Sequence, residues 1–233
     1  MAGTKAPGAI TREMIMVHTA FLREFANMPQ LVRAVAEGDR QRTEIVADHI
    51  ALMSTSLHHH HEGEDEAIWP RLRVRCPEEI RPLVHGMEKH HERIAAHLSA
   101  LGGQLATWRA NAGAASRDAV HGTLTEMLPI LREHLGMEVD YVLPLIEKHI
   151  TADEWDAMVA GISAGYQPDR LTLLFGLMMY EGDPASIQDA FDNMPAEVGP
   201  AIAEMAPRMY ADYAERVYGT RTPPRLSAPA WAA

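Results

Sequence analysis

The sequence predicts an all-α protein, an up-down-up-down four-helix bundle followed by a C-terminal helical extension. Apolar residues recur at steps of three and four over four long stretches, which is the period of an amphipathic helix. None of the 233 residues lies in a convincing run of the alternating pattern typical of a strand. Short connections join the four stretches, and short connections place consecutive helices antiparallel.

Proline and glycine residues indicate where the first two helices are interrupted or end. The first stripe runs from Met14 to Val32 and includes His18, and we expect Pro29 to kink or divide this helix. Gly38-Asp39 predicts a turn. The second helix then begins near Arg40 and ends at about Pro70.

The bounds of the third and fourth helices are predicted from the same kinds of residue. Pro77 is a favourable first residue and opens the third helix, whose stripe runs from Met87 to Leu105. Residues 111–116 are predicted to form a turn. The fourth stripe begins at Val120 and ends between residues 144 and 149. In all four helices a polar residue replaces an apolar one on the inward face.

The character of the chain changes after residue 150. Thr151-Ala152-Asp153-Glu154 has the form of a capping box and begins a short helix through Ile162. A linker over 165–169 and helical segments over 170–181, 184–193 and 197–218 follow. We expect a bundle over 10–150, a helical extension over 151–222 packed on the bundle or on a second copy, and a disordered tail over 223–233.

The net charge, the cysteine count and the length of the most apolar stretch indicate which kinds of partner and compartment to expect. The net charge of −11 offers no basic face to a nucleic acid. With Cys76 as its one cysteine, the chain has no disulfide framework, which favours a reducing cytoplasm. The most apolar stretch, residues 171–180, is half the roughly 20 residues that a membrane helix needs. We expect a soluble, cytoplasmic protein without a membrane partner, and a homodimer stays open.

A repeated motif carries the chemistry. His-Xaa3-Glu-Xaa5-Pro occurs twice, beginning at His60 and at His134. Residues four apart share one face of a helix, so each motif presents an imidazole together with Glu64 or Glu138. Two such helices facing each other in a bundle form the kind of carboxylate site that holds two metal ions.

The other two helices each add one inward histidine, His18 and His91. Imidazoles and carboxylates without a thiolate suit iron or manganese, with zinc as a further option. The alternative register, His61 with Asp65, stays open, with His61 otherwise expected off the bundle axis. The stripe favours His91 over His90, and His49 lies too far along its helix to join the same cluster.

These residues resemble the hemerythrin-like family, also called the HHE cation-binding domain. The resemblance covers roughly residues 10–150 and is carried by the segments MVHTAFLREF, HHEGEDEAIWPRL, MEKHHERIAAHL and HLGMEVDYVLPLIE. It implies a four-helix bundle with two non-haem irons bridged by oxo or hydroxo. Carried over by position, the implied metal ligands are His18, His60, Glu64, His91, His134 and Glu138.

Two departures from oxygen-carrying hemerythrins bear on function. Those proteins have a His-Xaa3-His pair on the third helix, whereas Met87 stands four residues before His91 here. They end with His-Xaa4-Asp, whereas this chain has His134-Xaa3-Glu138. The loss of an imidazole implies a more open site, similar to that of bacterial hemerythrin-like proteins that handle peroxide, oxygen, nitric oxide or iron.

The leading functional hypothesis is a catalase-like oxidoreductase that decomposes hydrogen peroxide at two irons. The alternative is reversible binding or sensing of oxygen or nitric oxide, or iron handling, without turnover. A metal-free helical interaction protein is the third hypothesis. Trp69 and Tyr141 lie near the ligands and are interpreted as packing residues rather than redox partners.

Overall fold

The computed structural model describes residues 8–192, 194 and 198–226. Helices dominate these residues, and the β-structure among them is one isolated bridge between Gly8 and Thr151. A π-helical segment, Glu138–Val142, joins two of the helices. The α-helices are α1 Arg12–Arg33, α2 Arg40–Ala67, α3 Trp69–Arg75, α4 Pro77–Asn111, α5 Ala114–Met137, α6 Leu143–His149, α7 Ala152–Ala164, α8 Pro168–Glu181, α9 Pro184–Asp192 and α10 Gly199–Tyr218.

Four long helices form the predicted bundle. Around its axis α1 packs against α2, α2 against α4, α4 against α5, and α5 against α1. The predicted all-α fold class is therefore confirmed. Of the two alternatives expected at Pro29, a kink or a division, α1 shows no division, since it continues through Pro29 to Arg33. The second helix ends at Ala67 rather than at about Pro70, and the short α3 then leads into α4.

The connections take the backbone shapes that their residues favour. Gly38, between α1 and α2, has a φ of 82°, a left-handed conformation that glycine adopts without a steric penalty. Ala112 ends α4 with a φ of 48°, and Asn111 Oδ1 accepts a hydrogen bond from the Gly113 amide at 2.8 Å. Thr151 and Glu154 form the expected capping box at the start of α7. Gly38 and Ala112 thus lie in the short turns that join α1 to α2 and α4 to α5.

A polar layer separates two hydrophobic clusters of the bundle. One cluster contains Phe21, Leu57, Ile94 and Leu131 and fills the longer part of the bundle. The other contains Met14, Ile68, Met87 and Val142, with further apolar residues of α3, α6 and α7. Along the chain, His18, His60, His91 and His134 each lie between a residue of the first cluster and a residue of the second. The polar layer is thus enclosed along the bundle axis by apolar side chains.

The extension packs on the bundle rather than away from it. Leu177 of α8 and Tyr210 and Ala214 of α10 belong to the same hydrophobic cluster as the bundle core. Residues 223–226, predicted as the start of a disordered tail, contact α8: the Pro223 carbonyl accepts a hydrogen bond from Tyr180 at 2.6 Å. The rest of that predicted tail lies outside the described residues. Among the helices that the structure describes, none has the length and apolarity to span a bilayer.

The crossing of α8 and α10 depends on a glycine. A Cβ added to Gly176 would lie 2.1 Å from the Ala206 carbonyl oxygen, which is a backbone atom and cannot rotate away. We expect Gly176→Ala to force the two helices apart and to cost about 1–3 kcal/mol, the usual range for overpacking. Urea unfolding measures the change in the free energy of unfolding.

Gly161→Ala is the matched control. Gly161 lies in α7, where an added Cβ meets nothing within 4 Å. Removing glycine from a helix interior stabilises by about 0.5–1 kcal/mol. Equal effects of the two substitutions would show that the close crossing of α8 and α10 is wrong.

Candidate metal centre

Seven buried residues from all four long helices form the polar layer. These side chains are either fully buried or expose less than a tenth of their surface. They are His18 of α1, His60, His61 and Glu64 of α2, His91 of α4, His134 of α5 and Glu138, which opens the π-helical segment. Burying this many titratable groups is costly unless each finds a partner.

The layer divides into two groups, each able to surround one cation. Within each group, one donor atom from every residue lies within 4.8 Å of the others. Group one is His18, His60, Glu64 and Glu138, and group two is His61, Glu64, His91 and His134. Glu64 belongs to both.

Both glutamates contact imidazoles of each group. Glu64 directs Oε1 to His60 Nε2 at 3.2 Å, and its Oε2 lies 3.6 Å from His91 Nε2. Glu138 Oε2 lies 3.4 Å from His18 Nε2 and 3.7 Å from His134 Nε2. Each carboxylate therefore lies between the two groups, which is the position of a ligand shared by two metal ions.

The expectation that His61 lies off the bundle axis was wrong. Its Nε2 is 3.2 Å from His134 Nε2, and its ring stacks on that of His91 with centroids 4.3 Å apart. Adjacent residues of a helix differ by about 100° in direction, so they cannot face a single point. The donor atoms of the layer lie in two groups rather than around one point, and His60 belongs to one group while His61 belongs to the other. Asp65, the other half of the alternative register, is not a member of either group.

Several donor atoms of the layer lack the partners that burial requires. Glu64 Oε2, Glu138 Oε2 and His91 Nε2 are buried and accept or donate no hydrogen bond among the described residues. The Nε2 atoms of His18 and His60 face each other at 3.2 Å. Two neutral imidazoles can share one hydrogen bond at most in that arrangement, so the layer holds more electron pairs than protons to satisfy them. A cation in each group would satisfy these atoms.

The electrostatics of the layer favour a cation as well. Burial raises the pKa of Glu138 to about 8 and raises the pKa of Glu64 well above its usual range, with the neighbouring Glu138 adding to the effect. Burial lowers the pKa of His60 to about 3. The same burial that keeps the imidazoles neutral therefore also favours the protonated, neutral form of the two glutamates while no cation is present. A bound cation would favour the ionised carboxylates and the neutral imidazoles, which are the forms that bind metals.

The π-helical segment adapts α5 to the layer. Glu138 accepts at its carbonyl from the Leu143 amide, and this wider turn inserts an extra residue beside the last ligand position. As a result Glu138 faces the layer while Val142 and Leu143 both pack into the hydrophobic cluster beyond it. Tyr141 is left 56% exposed. Single π-turns within helices occur frequently at functional sites.

The residues near the layer have other partners. His90 is buried but belongs to neither group, and its Nε2 lies 3.9 Å from a Glu133 carboxylate oxygen. Trp69 is buried with its ring centroid 6.4 Å from that of His91. His49 lies in a separate network with Tyr213, whose hydroxyl is 2.9 Å from His49 Nδ1. His91, rather than His90, is therefore the member of the layer, as the stripe predicted.

The fold and the donor atoms together define a metal-binding helical bundle. The chain belongs to the hemerythrin family, because the family model described as the hemerythrin HHE cation binding domain matches residues 9–146. That range contains all seven residues of the polar layer and ends within α6. No curated protein and no solved structure matches the chain significantly.

Proposed function

We propose that the chain binds two iron ions in the polar layer and uses them to react with hydrogen peroxide. The observation that carries the proposal is the sharing of Glu64 and Glu138 between two groups of imidazoles. Nitrogen and oxygen donors without sulfur suit iron. We assign His18 and His60 to one ion, His61, His91 and His134 to the other, and both carboxylates to the pair.

The side chains have distinct tasks in this proposal. The two carboxylates neutralise part of the cationic charge, and the imidazoles fix the positions of the ions. Apolar residues on both sides of the layer, such as Leu57 and Val142, exclude bulk water. Group one supplies one imidazole fewer than group two, which leaves it the more open position for a small molecule. When bound, an iron pair supplies two-electron redox chemistry, enough to oxidise one peroxide molecule and reduce another.

A second candidate function, reversible binding of oxygen or nitric oxide, is favoured by His61. Met87 occupies the position at which oxygen-carrying hemerythrins have another histidine. His61 brings a fifth imidazole to the layer from a different helix, so the layer is not poorer in nitrogen donors than theirs. The remaining departure is Glu138 with its shorter spacing from His134.

Oxygen evolution distinguishes the two candidates. We expect the iron-loaded full chain, mixed with hydrogen peroxide, to release one oxygen molecule for every two peroxide molecules consumed, over many turnovers. The zinc-loaded chain is the matched control, because zinc accepts the same donors and has no redox chemistry. No release of oxygen by the iron form, together with a stable adduct of oxygen or nitric oxide, would replace peroxide decomposition by ligand binding.

A further inference from the structure

The carboxylate of Asp65 touches the polar layer from outside. Asp65 lies on α2 directly after Glu64, and its side chain is half exposed. Its Oδ1 lies 3.0 Å from His91 Nδ1. The opposite nitrogen of the same ring, Nε2, is the one that faces Glu64 and group two. Asp65 therefore contacts the side of His91 that points away from the proposed metal.

This contact sets which nitrogen of His91 carries the proton. A neutral imidazole has one N–H, and a carboxylate oxygen at 3.0 Å from Nδ1 accepts a hydrogen bond from it. Nε2 is then left with a free electron pair for a cation. In the described part of the chain, Nδ1 of His18 and Nδ1 of His134 are buried without a hydrogen-bond partner. The polar layer is thus asymmetric: an anion supports His91 in group two, and none supports His18 in group one.

We infer that Asp65 is a positioning residue that makes the metal of group two the tighter-bound and more readily oxidised of the pair. A hydrogen bond to a carboxylate orients a metal-binding imidazole and increases its donor strength. A stronger donor stabilises the more highly charged ion. Group two, with His61, His91 and His134, therefore favours the ferric state over the ferrous state more than group one does. The inference rests on the proposed pair of irons.

Two substitutions separate the hydrogen bond from the charge. Asp65→Ala removes the acceptor, and we expect affinity for one of the two metals to fall by about 10–100-fold, the usual effect of losing such a partner. Asp65→Asn keeps an acceptor oxygen but removes the charge. We expect it to retain both irons while the reduction potential of the protein rises and the Mössbauer signals of the two irons become more alike.

Glu62→Gln is the matched control. Glu62 lies on the same helix as Asp65 and pairs with the exposed His58 rather than with the layer. The Glu62→Gln substitution removes one negative charge, as Asp65→Asn does. We expect this variant to keep the metal affinity and the Mössbauer signals of the wild type. Because Asp65 is half exposed, its variants should fold, and circular dichroism of the metal-free chains checks this.

The outcomes distinguish the inference from the proposed function. Two irons in the wild type, with affinity and spectra unchanged in both Asp65 variants, overturn the role of Asp65 and leave the metal centre standing. A wild-type chain that holds no metal under iron-replete conditions overturns both. Loss of affinity in Asp65→Ala, rescue in Asp65→Asn and no change in Glu62→Gln support the inference.

Discussion

Glu64→Ala is expected to abolish binding of both metal ions, not of one. Glu64 is the residue that belongs to both groups, with Oε1 beside His60 and Oε2 beside His91. Its loss removes a negative charge and a shared donor from each ion. The measurement is the iron content of the purified variant, combined with thermal unfolding at matched metal concentration.

The stability difference follows from linkage. A ligand that binds only the folded state at 100 times its dissociation constant stabilises it by about 2.7 kcal/mol. In a chain of this size that corresponds to a rise in the melting temperature of about 5–10 °C. We expect the wild type to show at least this rise on adding iron, and Glu64→Ala to show none. Glu64→Gln, which keeps the volume of the side chain, separates the loss of charge from the loss of packing.

The iron content of two further variants shows whether the loss of both ions is specific to Glu64. His61→Ala removes a donor from group two alone, so we expect it to retain about one iron per chain. Glu66→Ala changes an exposed carboxylate two residues away and should retain both irons. If Glu64→Ala binds as much iron as Glu66→Ala, then Glu64 is not a shared ligand.

Arg23→Met is expected to cost about 3–5 kcal/mol of unfolding free energy, the usual effect of removing one partner of a buried ion pair. Arg23 is fully buried on α1, where its guanidinium pairs with Glu24 and, at 3.1 Å, with Glu181 of α8. Its guanidinium carbon lies 5.1 Å from the ring centroid of Tyr180 and 5.2 Å from that of Tyr210. Without this cation both carboxylates stay buried without a partner of opposite charge from α1.

The wider network explains why the cost is large. Glu24, also fully buried, accepts hydrogen bonds from Tyr218 and from His49, whose Nε2 is 3.1 Å away. These contacts join α1 and α2 of the bundle to α8 and α10 of the extension. A cost of 3–5 kcal/mol is a large share of the roughly 5–15 kcal/mol that stabilises a typical domain. Urea unfolding followed by circular dichroism measures it.

Milder substitutions guard against a variant that fails to fold. Tyr218→Phe removes one hydrogen-bond donor from the buried Glu24 and should cost about 1–3 kcal/mol. Arg208→Met, also on α10, breaks an exposed pair with Glu204 and should change stability by less than about 0.5 kcal/mol. Equal stabilities of Tyr218→Phe and Arg208→Met would contradict a structural role for the buried network.

The sequence allowed the bundle to be predicted because its signals are local. Apolar steps of three and four mark each long helix, Gly38 and Asn111 mark the turns, and the two His-Xaa3-Glu motifs each place two polar residues on one face. These features depend on residues within one or two turns of each other. Their positions in the structure agree with the predicted helices and bring the six predicted ligands into one layer.

The features that the sequence did not reveal depend on distant residues. Besides pairing with one another, Arg23, Glu24 and His49 contact residues of α8 and α10, more than a hundred residues along the chain. No local sequence pattern predicts those contacts. The prediction for His61 was wrong because it assumed that all ligands face one point on the bundle axis, whereas the layer has two groups. The π-turn at Glu138 was also not predicted, because the sequence of this segment is typical of an ordinary α-helix.

Elemental analysis of the full chain, purified without an affinity tag after iron-replete expression, tests the central claim most directly. We expect about two irons per chain, one for each group of donors in the polar layer. Zinc in place of iron, or no metal at all, would contradict the binding of an iron pair.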